Sequence, residues 1–150
     1  MFLKVQGVTG EAADADHKGE IDVVSWSWGM HAPTAITGQA TGKVAISEIN
    51  VVKRADQASP TLMGFLRNHK LVSKAVLTVR KAGAKPLEYF KIELENVRIT
   101  SLKAGSDNAE LTEHWTLGFD KIRVSYTPQG STGAAGGGTN VFETEATAAS

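Results

Sequence analysis

Alternation of apolar and polar residues at every second position dominates this chain and is the feature that most limits its fold. Apolar residues at Ala75, Leu77 and Val79 alternate with polar ones at Lys74, Thr78 and Arg80, which is the period of a β-strand. The segment 20–28 is rich in strand-forming residues, and segments 2–6 and 43–52 continue the same pattern. The sequence therefore predicts a mainly β fold.

A single helical pattern interrupts the strands. Ser59 is of a residue type that caps helices, and Pro60 suits the first helical position. Apolar residues then recur at helical spacing, which predicts one short helix from Pro60 to His69 with a narrow stripe packed on the sheet. The stripe consists of Leu62, Phe65, Leu66 and His69.

The apolar positions of the later strands change phase twice. They are even from 90 to 94 and odd from 97 to 99, which a bulge near Glu95–Asn96 would explain. They are odd again within 111–119 and even within 122–126. Two phase changes on long strands predict a sheet that bends around a barrel and does not lie flat.

Composition excludes several classes of protein and site. Sixteen Lys and Arg balance sixteen Asp and Glu, so no net field attracts the chain to nucleic acid or to an anionic membrane. The absence of cysteine excludes disulfides, thiolate metal sites and cysteine nucleophiles. Lys4 and Gln6 interrupt the apolar stretch that a signal peptide needs, and no apolar run reaches the roughly 18 residues of a membrane-spanning helix. We expect synthesis in the cytoplasm, no signal peptide and no membrane insertion.

Candidate catalytic and cofactor motifs fail on their spacing. Segment 14–19 is similar to the first half of a calcium loop, but Lys18 occupies a ligand position. Ser25 then stands at the last position of the loop, where a bidentate Glu is required. Segment 38–43 is one residue shorter than a phosphate-binding loop. We therefore expect no catalytic residue, no metal and no cofactor, and the chain is not predicted to be an enzyme. The histidines also lack metal-ligand spacing; they are His17, His31, His69 and His114.

Trp26 and Trp28 lie on the same face of a predicted strand, about 6.8 Å apart along the chain. One interpretation is a stacking platform for a sugar, which would make the chain a monomeric ligand-binding β-barrel of the carbohydrate-binding type. The other is packing in the core or at a subunit interface. Glu20 and Asp22 on the same strand argue against a groove for single-stranded nucleic acid.

Several segments, taken in order, resemble the haemolysin co-regulated protein (Hcp) family of type VI secretion. His17–Gly29 is similar to the amino-terminal signature of the family, and Lys53–Met63 is similar to the approach to its single helix. The resemblance continues in the hairpin after the helix, in a long strand near the carboxyl terminus and in the residues that follow that strand. It extends from Phe2 to about Gln129. These later segments are Arg80–Gly83, Glu88–Val97 and Leu117–Gln129.

The resemblance implies a small β-barrel of two packed antiparallel sheets, flanked by one short α-helix, over residues 1–128. Residues 129–150 form a tail rich in Gly, Ala and Thr, with a short last edge strand expected at 139–145. The tail has no Lys or Arg, whereas basic residues at the carboxyl terminus are common in the family. The resemblance also implies homohexameric rings that stack into a hollow tube inside a contractile sheath. A spike protein lies at the tip of such a tube, and small effectors can travel in its lumen. The subunit is then secreted by the machine to the extracellular space or a target cell.

The segment Met30–Thr41 is long for a connection between two strands, so we expect it to contact the neighbouring ring. We expect Trp26 and Trp28 to lie at the subunit interface or in the core behind it. The complete set of predicted interface residues is Trp26, Trp28, Met30, His31, Pro33, Thr34, Ile36 and Gln39.

Overall fold

The computed structural model describes residues 1–35, 37–39, 42–81, 87–129 and 138–146. These residues form eleven strands and one helix, α1, which spans Ala58–Arg67. The strands before the helix are β1 (Phe2–Val5), β2 (Ile21–Asp22), β3 (Ser25–Ser27), β4 (Met30–His31), β5 (Ala45–Ile46) and β6 (Ile49–Arg54). The strands after it are β7 (Val72–Arg80), β8 (Glu88–Asp107), β9 (Glu110–Gly118), β10 (Lys121–Tyr126) and β11 (Asn140–Glu145).

Two antiparallel sheets share strand β8 and enclose the core. The six-stranded sheet has the order β2-β1-β7-β8-β10-β11, and the four-stranded sheet has the order β3-β6-β9-β8. The mainly β fold with one short helix is therefore confirmed. The predicted barrel needs a correction, because the sheets formed by the described strands are open. Along the path of paired strands from β2 through β8 to β3, the first and last strands do not pair with each other. Two open sheets packed face to face already bury the core between them.

Strand β8 passes from one sheet to the other at the predicted change of phase. Ile92 and Leu94 point into the core before this place, and Val97 and Ile99 do so after it. Asn96 lies between them with a φ of 52°, a left-handed conformation that reverses the alternation. The predicted change of phase is thus confirmed, but the predicted bulge near Glu95–Asn96 is wrong. The pairing of β8 with β7 keeps one register from Glu95 to Val97, and the register shifts of β8 lie opposite Val79/Arg80 of β7 and at Ile99/Ser101. One strand of 20 residues thereby belongs to both sheets.

The segment 20–28 was predicted as one strand, and the structure divides it. Strand β2 pairs with β1 in the six-stranded sheet, whereas β3 pairs with β6 in the four-stranded sheet. Between them, the Val23 N–H donates to the Met1 carbonyl at 3.0 Å and the Val24 N–H donates to the Val52 carbonyl at 2.8 Å. The chain therefore changes sheets within two residues, which a one-dimensional alternation pattern does not reveal.

Helix α1 begins two residues before the predicted start. Ser59 is not its cap; instead, the Asp56 carboxylate accepts the Ala58 N–H at 2.9 Å. Pro60 is the third helical residue, where a missing N–H is harmless because the first four N–H groups of a helix have no intrahelical partner. Leu62 is fully buried, and the helix packs mainly against β8.

A buried ion pair joins the four-stranded sheet to the start of α1. Lys53 and Glu113 face each other across β6 and β9, and their side chains are 1% and 2% exposed. The Lys53 Nζ lies 2.8 Å from Glu113 Oε1 and donates to Asp56 Oδ1 at 2.8 Å and Ser59 Oγ at 2.9 Å. Glu113 Oε1 also accepts hydrogen bonds from the Ser59 hydroxyl at 2.9 Å and the Trp115 indole at 3.0 Å.

These partners keep Glu113 ionised inside the protein. Burial by itself raises the pKa of its carboxyl group, but the hydrogen bonds from Lys53, Trp115 and Ser59 outweigh burial, and the pKa lies below its usual value. No side-chain nitrogen or oxygen that is buried in the described part of the chain lacks a hydrogen-bond partner. The network therefore meets the condition under which a buried charge is tolerated.

Removing one partner of this network should be strongly destabilising. Glu113→Gln should lower the free energy of unfolding by about 3 kcal/mol, the low end for a broken buried pair, because Asp56 still contacts Lys53. Urea unfolding followed by tryptophan fluorescence measures the change. Glu110→Gln is the matched control, because Glu110 pairs with Arg54 on the exposed surface and its loss should change stability little. Equal effects of the two substitutions would contradict the role given to the buried pair.

Candidate assembly surfaces

Strands β4 and β5 form a small separate hairpin next to the four-stranded sheet. Among the described strands they pair only with each other, with Met30 opposite Ile46 and His31 opposite Ala45. Ser47 fixes the base of the hairpin: its N–H donates to the Gly29 carbonyl at 3.0 Å, and its hydroxyl accepts the Gly29 N–H at 3.0 Å. The hairpin is therefore held to the body of the protein at one end.

Most of the predicted interface residues in this segment are accessible. His31, Thr34 and Gln39 are exposed, Met30 is 49% exposed, and Pro33 is half-buried. Ile36 and Thr41 lie outside the described residues. The structure thus gives the hairpin segment a surface position.

One face of the hairpin is apolar. Met30 and Ile46 share this face because they are directly opposite each other, and Val44 shares it because it lies two positions before Ile46. Ile46 packs against the core, whereas Met30 and Val44 are 49% and 47% exposed. We call Met30, Val44 and Ile46 the hairpin face.

Trp26 and Trp28 are both half-buried and both packed against the core. The Trp26 ring stacks on Phe90, with the ring centres 5.6 Å apart. The Trp28 indole N–H donates to the Ser47 carbonyl at 2.9 Å, which ties it to the base of the hairpin. Each indole is therefore engaged within the subunit, which favours packing over the sugar-platform interpretation.

A second apolar surface lies on the core-facing side of β10 and β11. Val124, Tyr126 and Phe142 are on the core-facing side of β10 and β11, in line with the fully buried Ile122. Tyr126 and Phe142 are nevertheless 44% and 45% exposed. We call Val124, Tyr126 and Phe142 the apolar overhang. The sequence alternation assigned Val124 and Tyr126 to a buried face but could not show that Tyr126 stays partly uncovered.

The other side of the six-stranded sheet is charged. Glu93 lies 3.5 Å from Lys74 and 3.9 Å from Arg123, and Lys121 pairs with Glu143. Opposite charges thus alternate across β7, β8, β10 and β11. Such exposed pairs contribute little to stability, but they keep this side hydrated.

Residues 8–20 cross the other end of the same side, and we call them the strap. The Arg80 guanidinium forms a two-pronged pair with the Asp14 carboxylate, and the His17 ring stacks on Phe2 with the ring centres 4.5 Å apart. Phe2 and Thr78 point away from the core, yet both are buried because the strap covers them. Segment 14–19, which is similar in sequence to a calcium loop, is therefore packed on the sheet.

The strap is also bonded to the start of α1. The Gln57 side-chain amide donates to the Gly10 carbonyl at 2.6 Å, and the Gln57 N–H donates to Glu11 Oε2 at 2.7 Å. Gly10 itself must be glycine, because a Cβ there would lie 2.4 Å from the Glu20 carbonyl oxygen. The strap thus connects the helix to the sheet.

His17 is the buried centre of the strap contacts. Its Nδ1 lies 2.8 Å from Glu20 Oε2, and its Nε2 contacts Glu88. Burial lowers the pKa of the imidazole, but the hydrogen bonds to Glu20 and Glu88 outweigh burial, so its pKa lies above the usual value of 6.5. Because two carboxylates offer only acceptors, both ring nitrogens donate when the ring is protonated.

Comparison with known proteins identifies the family. A family model described as "Type VI secretion system effector, Hcp" matches residues 2–126. The chain is 39% identical over 144 residues to protein hcp1 of Pseudomonas aeruginosa, and the match covers 92% of this chain and 89% of that protein. This chain belongs to the Hcp family.

Solved structures agree with this membership. The crystal structure of a type VI secretion system effector from Yersinia pestis has a TM-score of 0.80 and 28% identity, covering 96% of this chain and 98% of that one. Hcp1 from Salmonella typhimurium also has a TM-score of 0.80 and 28% identity, covering 97% of this chain and 92% of that one. The resemblance stated from the sequence is confirmed. Hcp proteins are secreted structural proteins of the type VI secretion system, not a known family of enzymes.

Neither converging metal ligands nor a membrane-spanning helix is found among the described residues. Among the described residues, no three His, Asp or Glu side chains come together as a metal site requires. The described part of this Hcp chain has no helix that is long and apolar enough to span a membrane.

The contacts of His17 predict a stability that depends on pH. Because the pKa of His17 is raised in the folded state, its stabilisation is complete below pH 6.5 and is lost as the pH rises through the folded pKa. The free energy of unfolding of the wild type should therefore fall over this range, and His17→Gln should remove the decrease. Denaturant unfolding at a series of pH values measures it. His114→Gln, at an exposed histidine, is the control, and a decrease that survives in His17→Gln would contradict the assignment.

Proposed function

We propose that this Hcp chain is the tube subunit of a type VI secretion machine. Six copies form a ring, and rings stack into a hollow tube inside a contractile sheath with a spike protein at the tip. Contraction expels the tube, and small effectors travel in its lumen. The subunit is made in the cytoplasm and leaves through the machine itself. Family membership supports a structural role.

The observation that carries the proposal is the pair of uncovered apolar surfaces on one chain. The hairpin face and the apolar overhang lie on different strands, and each holds large apolar side chains that are nearly half exposed. Exposed apolar patches of this kind favour protein contacts. Two different surfaces that meet each other on neighbouring copies make a head-to-tail contact, and such contacts close into rings when the rotation allows it.

We assign the hairpin segment to contacts between copies. Met30, His31, Pro33, Thr34 and Gln39 offer a mainly accessible edge, and Ile36 is included in the proposal from the sequence alone. Trp26 and Trp28 lie behind this edge, where they support its position through Phe90 and Ser47. The rival function, a monomeric carbohydrate-binding barrel, would need free indole faces. The stacking of Trp26 on Phe90 argues against it.

The mass of the particle in solution tests the ring. Six copies of 15.9 kDa give six times 15.9, or 95.4 kDa. Light scattering on the size-exclusion peak should give a mass near this value. A stable mass of one subunit at all concentrations would contradict the proposal and bring the ligand-binding alternative forward.

Adjacent substitutions on opposite sides of the hairpin test its role. Val44→Asp places a charge on the hairpin face and should reduce the ring fraction about tenfold, because burying an unpaired carboxylate in a contact is costly. Ala45→Asp is the matched control, because Ala45 is exposed on the other side of the same strand. Light scattering measures the assembly, and circular dichroism confirms that both variants fold. Equal loss of rings in both variants would count against a specific hairpin contact.

A further inference from the structure

We propose that Met30 is an oxidation site that controls assembly, with a peroxide as its reactant. The inference rests on the proposed function, because its consequence is a change in the association of subunits. Oxidation of the Met30 thioether to a sulfoxide would convert the centre of the hairpin face from apolar to polar. A free subunit modified in this way would no longer associate.

All the sulfur atoms of the chain belong to methionine. There is no cysteine, so no thiolate competes for a peroxide, and the thioethers of three methionines are the available sulfur nucleophiles. Met30 is the most accessible of them at 49% exposed, compared with 39% for Met63 and 38% for Met1. Accessibility favours oxidation at Met30, but its position is what gives the oxidation a consequence.

Met30 occupies the apolar side of a hairpin whose fold does not depend on that side chain. Its backbone pairs with Ile46, and the base of the hairpin is held by the bonds between Gly29 and Ser47. Oxidation therefore changes the surface chemistry without removing any of these bonds. Met63 differs, because it lies on an accessible side of α1, outside the hairpin face and the apolar overhang.

The chemical step balances without any further reactant. Hydrogen peroxide transfers one oxygen atom to the Met30 sulfur while its O–O bond breaks, so the sulfur is oxidised by two electrons and the peroxide is reduced to water. The reverse step, catalysed by a methionine sulfoxide reductase, takes two electrons from thiols and releases the oxygen as water. A buried contact that must then accommodate a sulfoxide oxygen without a hydrogen-bond donor is weakened.

The test uses three substitutions at two methionines. Met30→Gln imitates the polar sulfoxide, Met30→Leu keeps the apolar side chain but cannot be oxidised, and Met63→Gln is the matched control on α1. We expect Met30→Gln to shift the balance from rings to subunits about tenfold, by light scattering at fixed concentration. Met30→Leu and Met63→Gln should assemble as the wild type does, and circular dichroism should show all three variants folded.

Treatment with hydrogen peroxide completes the test on the natural chain. Peptide mass spectrometry should place the added oxygen on Met30, and the ring fraction should fall in the wild type but not in Met30→Leu. A methionine sulfoxide reductase should restore the rings. Intact rings with Met30 fully oxidised, or equal loss of rings in Met30→Leu, would overturn the inference and leave the tube proposal standing. An untreated chain that stays monomeric would overturn the tube proposal and this inference together.

Discussion

The ion pair between Lys53 and Glu113 determines how the strands and the helix of this chain fit together. It sits at directly opposite positions of β6 and β9, on the core-facing side, and it is completed by Asp56 and Ser59 at the start of α1. A shift of either strand by one residue would place one charge in the core without a partner. The pair therefore sets the register of the four-stranded sheet and the position of the helix together, and its cost of desolvation is offset only because every partner is present.

Strand β8 then determines which surfaces remain open. Its two halves belong to different sheets, and in the six-stranded sheet the apolar overhang on β10 and β11 stays partly uncovered. The hairpin of β4 and β5 pairs with no other described strand and presents its apolar face separately. These surfaces suit a subunit that associates head to tail with copies of itself. The strap, in contrast, covers its side of the sheet through contacts of Asp14 and His17, so that side needs no partner there.

Much of the fold was predictable, because strand alternation and helical spacing are local properties. The phase change near Asn96 was predicted from the sequence, but its cause was not, since a left-handed residue and not a bulge reverses the buried parity there. The division of segment 20–28 was not, because each half pairs with a strand that is distant in the sequence. Lys53 and Glu113 were missed for a similar reason: a charged residue in an alternating strand is normally read as exposed. The interface residues near Met30 were placed on an accessible hairpin, while their partners stay a prediction.

The sequence by itself determined the class of fold, the single helix, the likeness to Hcp proteins and the exclusion of thiol chemistry, since all of these follow from residue types at short spacing. Only the tertiary structure decided which charges are buried and which apolar residues are left uncovered. His17 illustrates the difference, because its second carboxylate, Glu88, is 71 residues away in the chain. Burial depends on which strands lie above and beside a residue, and long-range pairing sets that arrangement where local pattern cannot.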